Sequence, residues 1–320
     1  MKAIQFSEHG DSNVLNVVEI DIPSPGPGQV LVKMVATGIN FIDIYRRRGT
    51  YSLALPHILG EEGVGIIQEL GRGVTGLEVG QRIAFTDGQN TYAEYALVSA
   101  DKALPVPESM DDYVAAALPL QGMTAHYLVR SLFPVDSSKT ILIHAGAGGV
   151  GQFVIQLAKM HGARVFTTVS SPDKAELALS AGADEVLSYD TFDEAARELT
   201  KGVGVDVVYD GVGQATFDRS LLALRKRGMM ALFGAASGPV SAFDLQRLNS
   251  GGSLFISRPT LWDYLLTPEE LAWRWSELTE AVSTGALRVT IGATFALTDA
   301  ALAHDALSGR KTTGKVLLLP

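Results

Sequence analysis

The sequence contains no cysteine. That excludes disulfides, a thiolate nucleophile and any cysteine-ligated zinc or iron–sulfur centre. Its histidines (His9, His57, His126, His144, His161 and His304) include no two that lie three to five residues apart, so a histidine-based metal site is not expected. No apolar run approaches the roughly 20 residues that a membrane span needs. The opening MKAIQFSEHG lacks the apolar segment of a secretory leader, so a soluble cytoplasmic protein is expected. Excess positive charge is missing as well. A net charge of −9 has the wrong sign for a sequence-independent grip on nucleic acid. What remains is an ordinary globular composition, 47% hydrophobic and 19% charged over 320 residues, enough for two domains or one large one.

The first hundred or so residues read as β-rich with frequent turns. VVEIDIPSPGPGQVLVKMVATGIN holds two strand-like runs around a Pro/Gly cluster, and HILGEEGVGIIQELGRGVTGLEVGQRIAF alternates β-branched runs with glycines. The rhythm changes after Pro119, with a helix expected over Thr124–Leu132. From Thr140 short apolar strands (TILIH, RVFTTV, EVLSY, VDVVYD, MMALFG) alternate with helical segments (QFVIQLAKMHG, DKAELALSAGA, FDEAARELTKG, FDRSLLALRKRG). The strands lack period-2 alternation, as strands buried on both faces do. The pattern predicts a doubly wound parallel sheet. After LRVTIGATFAL, TDAALAHDAL and KVLLLP the tail is β-like again, which suggests that it rejoins the first domain.

HAGAGGVGQ (144–152) is the chemically informative stretch. Gly146, Gly148 and Gly151 match G-x-G-x-x-G, with Gly149 and Val150 between them, and the match follows a buried strand and opens a helix. The first glycine allows the tight turn, the second lets the backbone approach a pyrophosphate, and the third lets helix pack on strand. Amides at the helix start then face the anion. NAD sites place a carboxylate about 20 residues on, at the end of the second strand. Here that strand ends TTVSSPDK, with Ser170 and Ser171 in the acid's place and Lys174 opening the next helix. Hydroxyls and a lysine would receive a 2′-phosphate that a carboxylate would repel, so NADPH is expected over NADH. Asp173 precedes Lys174 in the first helical turn and is expected to point outward.

With these residues in place, the chain resembles the zinc-independent quinone oxidoreductase (zeta-crystallin-like) branch of the medium-chain dehydrogenase/reductase superfamily. The resemblance runs over the whole chain. It rests on ATGINFIDIYRRRG (36–49), LGEEGVG (59–65), LQGMTAHYL (120–128), the run from Ser138 to Lys159, VYDGVG (208–213), FGAASG (233–238), SLFISRPTL (253–261) and TTGKVLLLP (312–320). It implies an α/β fold in which a Rossmann doubly wound parallel sheet is inserted in a GroES-like β-rich catalytic domain. The expected boundaries are residues 1–122 and 260–320 for the catalytic domain and 123–259 for the NADP-binding domain. It also implies a homodimer formed through a Rossmann edge strand, for which SLFIS (253–257) is the candidate. Zinc dehydrogenases of the superfamily carry G-H-E-x-x-G; here the stretch is Gly60-Glu61-Glu62-Gly63-Val64-Gly65, with glutamate in the histidine's place. Asn40 stands where their first cysteine ligand does, and the four-cysteine lobe is absent. Without that Lewis acid, an already activated acceptor, a quinone or conjugated carbonyl, fits better than an alcohol.

The resemblance assigns roles residue by residue. Asn40 would bond the nicotinamide, its ribose or the acceptor carbonyl. Tyr45 would stabilise a developing phenolate, and Tyr51 would stack on a flat ring or donate a proton; ordinary core-edge packing is the plain alternative for both. Asp43 reads as structural. Thr124 would contact the nicotinamide end, or simply open its helix. Tyr189, Val212, Phe233 and Ser237 follow successive strands at the ligand-binding edge of the sheet, Arg258 and Pro259 would line the nicotinamide pocket, Arg310 would reach the adenosine end, and Lys315 belongs to the closing motif. The Arg46–Arg48 run reads as a solvated turn, with an anionic-substrate site as the rival. Three functions follow: an NADPH-dependent quinone reductase delivering two electrons or one; an enone, enal or enoyl-thioester reductase; and a non-catalytic NADPH-binding protein, with membrane and nucleic-acid partners not expected.

Overall fold

A computed structural model describes residues 1–320, which divide into two compact units. The β-rich unit comprises Met1–Leu120, Thr267–Ser283 and Val289–Pro320; the second comprises Gln121–Leu266 and Thr284–Arg288.

The β-rich unit opens with β1 (Lys2–Phe6), β2 (Asn16–Glu19), β3 (Gln29–Ile39), helix α1 (Phe41–Arg47), β4 (His57–Ile58), β5 (Gly63–Leu70), β6 (Arg82–Phe85), β7 (Tyr95–Ser99), β8 (Leu104–Pro105) and α2 (Asp112–Ala117). β3, QVLVKMVATGI, is the organising strand. It pairs antiparallel with β5 along most of its length and with β7 beside Gln29–Lys33. Its Val30, Val32 and Met34 pack with Ile67, Ile83, Phe85 and Val98 into a core. α1 starts where β3 ends: Asn40 is its N-cap, and the Asp43 carboxylate accepts a hydrogen bond from the Asn40 amide at 2.8 Å. That satisfies one orphan donor of the helix start.

Helix α3 (Pro119–Tyr127) begins the second unit's run and passes into a π-helical turn over Leu128–Leu132. The helix expected over Thr124–Leu132 is therefore two elements and starts earlier, at Pro119, so Thr124 lies inside α3 and does not open it. The sheet follows: β9 (Thr140–His144), α4 (Gly149–Met160), β10 (Arg164–Thr168), α5 (Pro172–Ser180), β11 (Glu185–Leu187), α6 (Phe192–Leu199), β12 (Val205–Asp210), α7 (Phe217–Ala223), β13 (Leu224–Leu232), α8 (Gln246–Ser250) and β14 (Phe255–Ser257). All six strands are parallel, in the order β11-β10-β9-β12-β13-β14. The chain winds outward from β9 to β11, then returns to β12 on β9's other side. This reversal is the topological switch point, where open α/β sheets bind ligands at strand carboxyl ends. Leu142, Phe166, Val208, Leu221 and Met230 fill the core of this unit.

One expected helix is shorter than its pattern. FDRSLLALRKRG is helical only to Ala223, and β13 begins at Leu224. The Arg197 guanidinium donates to the carbonyls of Leu222 at 2.7 Å and Leu224 at 2.8 Å, and Leu224 pairs with Val205 in the sheet. These partners take the backbone groups that a longer helix would need. The chain then returns to the β-rich unit through α9 (Pro268–Ser283), β15 (Ile291–Ala296), α10 (Ala300–Ser308) and β16 (Lys315–Leu319), with β16 antiparallel to the end of β3. Phe6, Ile39, Tyr92, Leu297 and Val316 form the second core here.

Candidate functional site

The glycine loop lies at the switch point. Gly148 is the N-cap of α4 and supplies no side-chain cap, so the first amides of the helix have no partner within it. A Cβ at Gly146 would run into the Thr167 side chain on β10, and one at Gly151 into Ala145 and Gly146. Gly148 differs: the only neighbour of a Cβ there is the Ala145 carbonyl at 3.1 Å. Gly146 and Gly151 are thus needed for packing, while Gly148 keeps the loop's free side bare. An uncapped helix start with an open cradle fits a pyrophosphate.

The residues around the loop support that fit. Tyr189 stacks on His144 and accepts a hydrogen bond from the Ala145 amide at 3.1 Å. At the end of β10, Ser171 caps α5 by accepting from the Lys174 amide, and Lys174 Nζ donates to Ser170 Oγ at 3.3 Å. Asp173 is exposed. After β12, the buried Asp210 carboxylate accepts from the amides of Val212 (2.8 Å) and Gly213 (2.9 Å) and from the hydroxyls of Thr216 (2.7 Å) and Ser220 (3.1 Å). His144 bridges Thr168 Oγ1 and Ser220 Oγ, and burial lowers its pKa against the pull of Asp210. Ser237 ties the loop after β13 to the one after β12, with its hydroxyl donating to the Val212 carbonyl at 2.8 Å. Phe233 is half-buried, Pro259 is buried, and Arg258 donates to the Leu232 carbonyl at 3.0 Å. The structure therefore gathers the loop, Ser170, Lys174, Tyr189, Val212, Phe233, Ser237, Arg258 and Pro259 in one unit, with Thr124 buried on α3 of the same unit. Arg310 lies in the β-rich unit, exposed at the turn after α10 with φ +56°. The Asp210 network was not singled out from sequence, although an aspartate ahead of a glycine at a strand end signals a turn-organising carboxylate.

In the β-rich unit, Tyr45 and Tyr51 meet edge to face with centroids 6.0 Å apart; Tyr51 is exposed and Tyr45 half-buried. The same unit holds a buried ionic cluster. Lys315 Nζ donates to Asn40 Oδ1 at 2.9 Å and pairs with Glu62, Asn40 Nδ2 donates to Glu62 Oε1 at 2.6 Å, and Glu62 Oε2 accepts from the Leu120 amide at 2.7 Å. Arg46 pairs with Glu61. Arg47 is 1% exposed, which corrects the reading of the arginine run as a solvated turn. Its guanidinium bonds the Gly10 carbonyl and His304 Nδ1, and only Arg48 of the three is exposed. His304 Nε2 meets the Tyr92 hydroxyl at 3.0 Å, and that hydroxyl donates to Asp43 at 3.2 Å. Burial pushes Asp43 up to about 6 and Glu61 up to about 7, against the pull of Arg46 in each case. Burial, reinforced by Arg47, holds His304 down at about 3.

No group of three or more His, Cys, Asp or Glu side chains is placed to hold a metal. Around Glu61 and Glu62 the cation positions are taken by Arg46 and Lys315, so the donor set does not fit a catalytic zinc.

A β-rich unit built from both chain ends, with a dinucleotide-type parallel sheet inserted between them, defines the class of medium-chain dehydrogenases and reductases. Two family models match accordingly: alcohol dehydrogenase GroES-like domain over residues 26–108 and zinc-binding dehydrogenase over residues 149–260. A quinone oxidoreductase of Pseudomonas aeruginosa is 42% identical over 100% of this chain and 99% of its own. A 2-haloacrylate reductase of a Burkholderia species is 40% identical over 100% and 99%. A mycobacterial protein solved in complex with NADPH superposes with a TM-score of 0.98 at 46% identity, covering all of both chains. The chain belongs to the quinone oxidoreductase family of this superfamily.

Proposed function

We propose that this protein is an NADPH-dependent, zinc-independent reductase of small quinones, working in the cytoplasm. One observation carries the reading: an open glycine cradle at the switch point, followed at the end of the next strand by Ser170 and Lys174 where an NAD site keeps a carboxylate. When bound, NADPH supplies hydride from its nicotinamide. The loop amides from Gly148 to Gly151 hold the pyrophosphate, and Lys174 with Ser170 holds the 2′-phosphate. Thr124, Val212, Phe233, Ser237, Arg258 and Pro259 fix the nicotinamide half. In the β-rich unit, Tyr51 offers a ring to a flat acceptor, and the Tyr45 hydroxyl donates to the oxygen on which charge develops. Lys315 and Glu62 fix both ends of the buried Asn40 amide and hold it in one orientation.

Two copies pair through β14, whose Phe255 is 56% exposed at the open edge of the parallel sheet. The similarity to a 2-haloacrylate reductase favours a second reading, reduction of a conjugated carbonyl or α,β-unsaturated acid on the same scaffold. Initial rates with NADPH and NADH against 1,4-benzoquinone, 9,10-phenanthrenequinone, 2-chloroacrylate, 2-hexenal and crotonyl-CoA separate the two. Turnover of a quinone with NADPH supports the first; oxidation of NADPH only by the unsaturated acid, enal or thioester replaces it with the second.

A further inference from the structure

The reduction proposed above consumes one proton for each hydride, and the Arg46–Glu61 pair is placed to deal with it. Glu61 sits in the turn between β4 and β5 and is 6% exposed. Its Oε1 pairs with Arg46, while Oε2 is buried with no hydrogen-bond partner. A buried carboxylate oxygen left bare is costly, whereas a neutral carboxyl group is not under the same penalty. The pair is linked along the chain to residues assigned to the acceptor. Glu62, next in sequence, bonds the Asn40 side chain, and Arg46 directly follows Tyr45 on α1.

The charges facing Glu61 come from two elements. α1 presents Arg46 and Asp43, and the turn after β6 presents Asp87; the Gly88 amide of that turn donates to the Glu61 carbonyl at 2.8 Å and holds the backbone. Arg46 in turn acts on His57, while Asp43 is also within reach of Lys315. Asp43 carries a second orphaned oxygen, Oδ1. Burial and the two aspartates favour the protonated form of Glu61; Arg46 favours the ionised one. A group balanced in this way can give up a proton and take it back near neutral pH.

We propose that Glu61 hands the reduced acceptor its proton, with Arg46 holding the carboxylate left behind. The proposal rests on the reductase reading and adds the proton source to it. In the balanced step, NADPH loses hydride with its electron pair and becomes NADP⁺, and the acceptor gains both electrons. The acceptor oxyanion then takes the Glu61 proton. One O–H bond breaks on the carboxyl group, one forms on the acceptor, and solvent later reprotonates Glu61.

The test joins kinetics to direct titration. In the wild type, kcat for quinone reduction is expected to fall as pH rises above about 7. Glu61→Gln is expected to lower kcat at pH 6.5 by about 10²-fold and to lose that descending limb, with NADPH affinity unchanged by fluorescence titration. Arg46→Gln removes the cation that favours the carboxylate, so the limb moves to higher pH. In protein labelled with ¹³C at glutamate carboxyls, one resonance is expected to titrate near neutrality and to be missing from Glu61→Gln. A Glu61→Gln enzyme that keeps the wild-type rate and limb overturns the proposal, as does a labelled protein in which no glutamate titrates above the ordinary range. A wild type inactive on quinones but active on 2-chloroacrylate sinks the quinone reading alone, because that reduction also takes one proton and the same profile is then measured with it.

Discussion

At the scale of single residues, charge and burial separate groups that look alike in sequence. Lys174 and Lys315 are both lysines near recognisable motifs. Lys174 is half-buried and reaches Ser170, whereas Lys315 is 1% exposed and holds Glu62 and Asn40. Their substitutions should therefore fail differently. Lys174→Glu is expected to raise the Kd for NADPH by tenfold or more while leaving NADH and thermal stability nearly unchanged, since a charge-assisted bond is worth about 1.5–3 kcal/mol. Equal effects on the two cofactors, measured by fluorescence titration, would refute the phosphate role. Lys315→Met leaves Glu62 as an uncompensated buried charge, which costs about 3–5 kcal/mol. Arg247→Met, which breaks the exposed pair with Asp218, is expected to cost no more than about 1 kcal/mol. Urea unfolding of the two variants beside the wild type measures that contrast. The Lys315–Glu62 pair was not legible in the sequence, because its members are 253 residues apart and nothing local to TTGKVLLLP points back to LGEEGVG.

At the scale of elements, the glycine loop was readable because its constraint is local. A buried strand, a bare turn and a helix start fall within thirteen residues, from Thr140 to Gln152. The alternating strand–helix rhythm was readable for the same reason. The start of β13 was not: LLALRKRG has helical spacing, and the deciding partners, Arg197 and Val205, arrive from other elements. Within the loop the glycines are unequal. Gly146→Ala would push a Cβ into the buried Thr167 side chain and is expected to destabilise by about 1–3 kcal/mol. Gly148→Ala meets only the Ala145 carbonyl at 3.1 Å, so its Tm should change little while its Kd for NADPH rises. Differential scanning calorimetry and cofactor titration on the two variants check this. If Gly148→Ala bound NADPH normally, Gly148 would not line the pyrophosphate cradle.

At the scale of the whole molecule, stability depends on pH through groups buried in the β-rich unit, and their signs oppose. His304 is held at about 3, below its ordinary 6.5, so its contribution is complete above 6.5 and is lost as pH falls toward 3. Asp43, raised from 3.8 to about 6, behaves the other way: its contribution is complete below 3.8 and is lost as pH rises through 6. Each group changes stability by about 1.4 kcal/mol per pH unit inside its own window. Neither effect is visible from composition, because both follow from one buried chain running from Arg47 through His304 and Tyr92 to Asp43. Two variants isolate them. Relative to wild type, His304→Gln is expected to be most destabilising at pH 7–8, where the native His304 contribution is complete, and its deficit should shrink as pH is lowered toward 4. Asp43→Asn should look progressively better relative to wild type between pH 4 and pH 6, then level off once Asp43 is ionised in the native state. Denaturant midpoints at half-unit pH steps give both curves. Parallel curves for wild type and His304→Gln would mean that His304 is not held neutral in the folded state, and the Arg47–His304–Tyr92–Asp43 chain would then have to carry its protons in a different order.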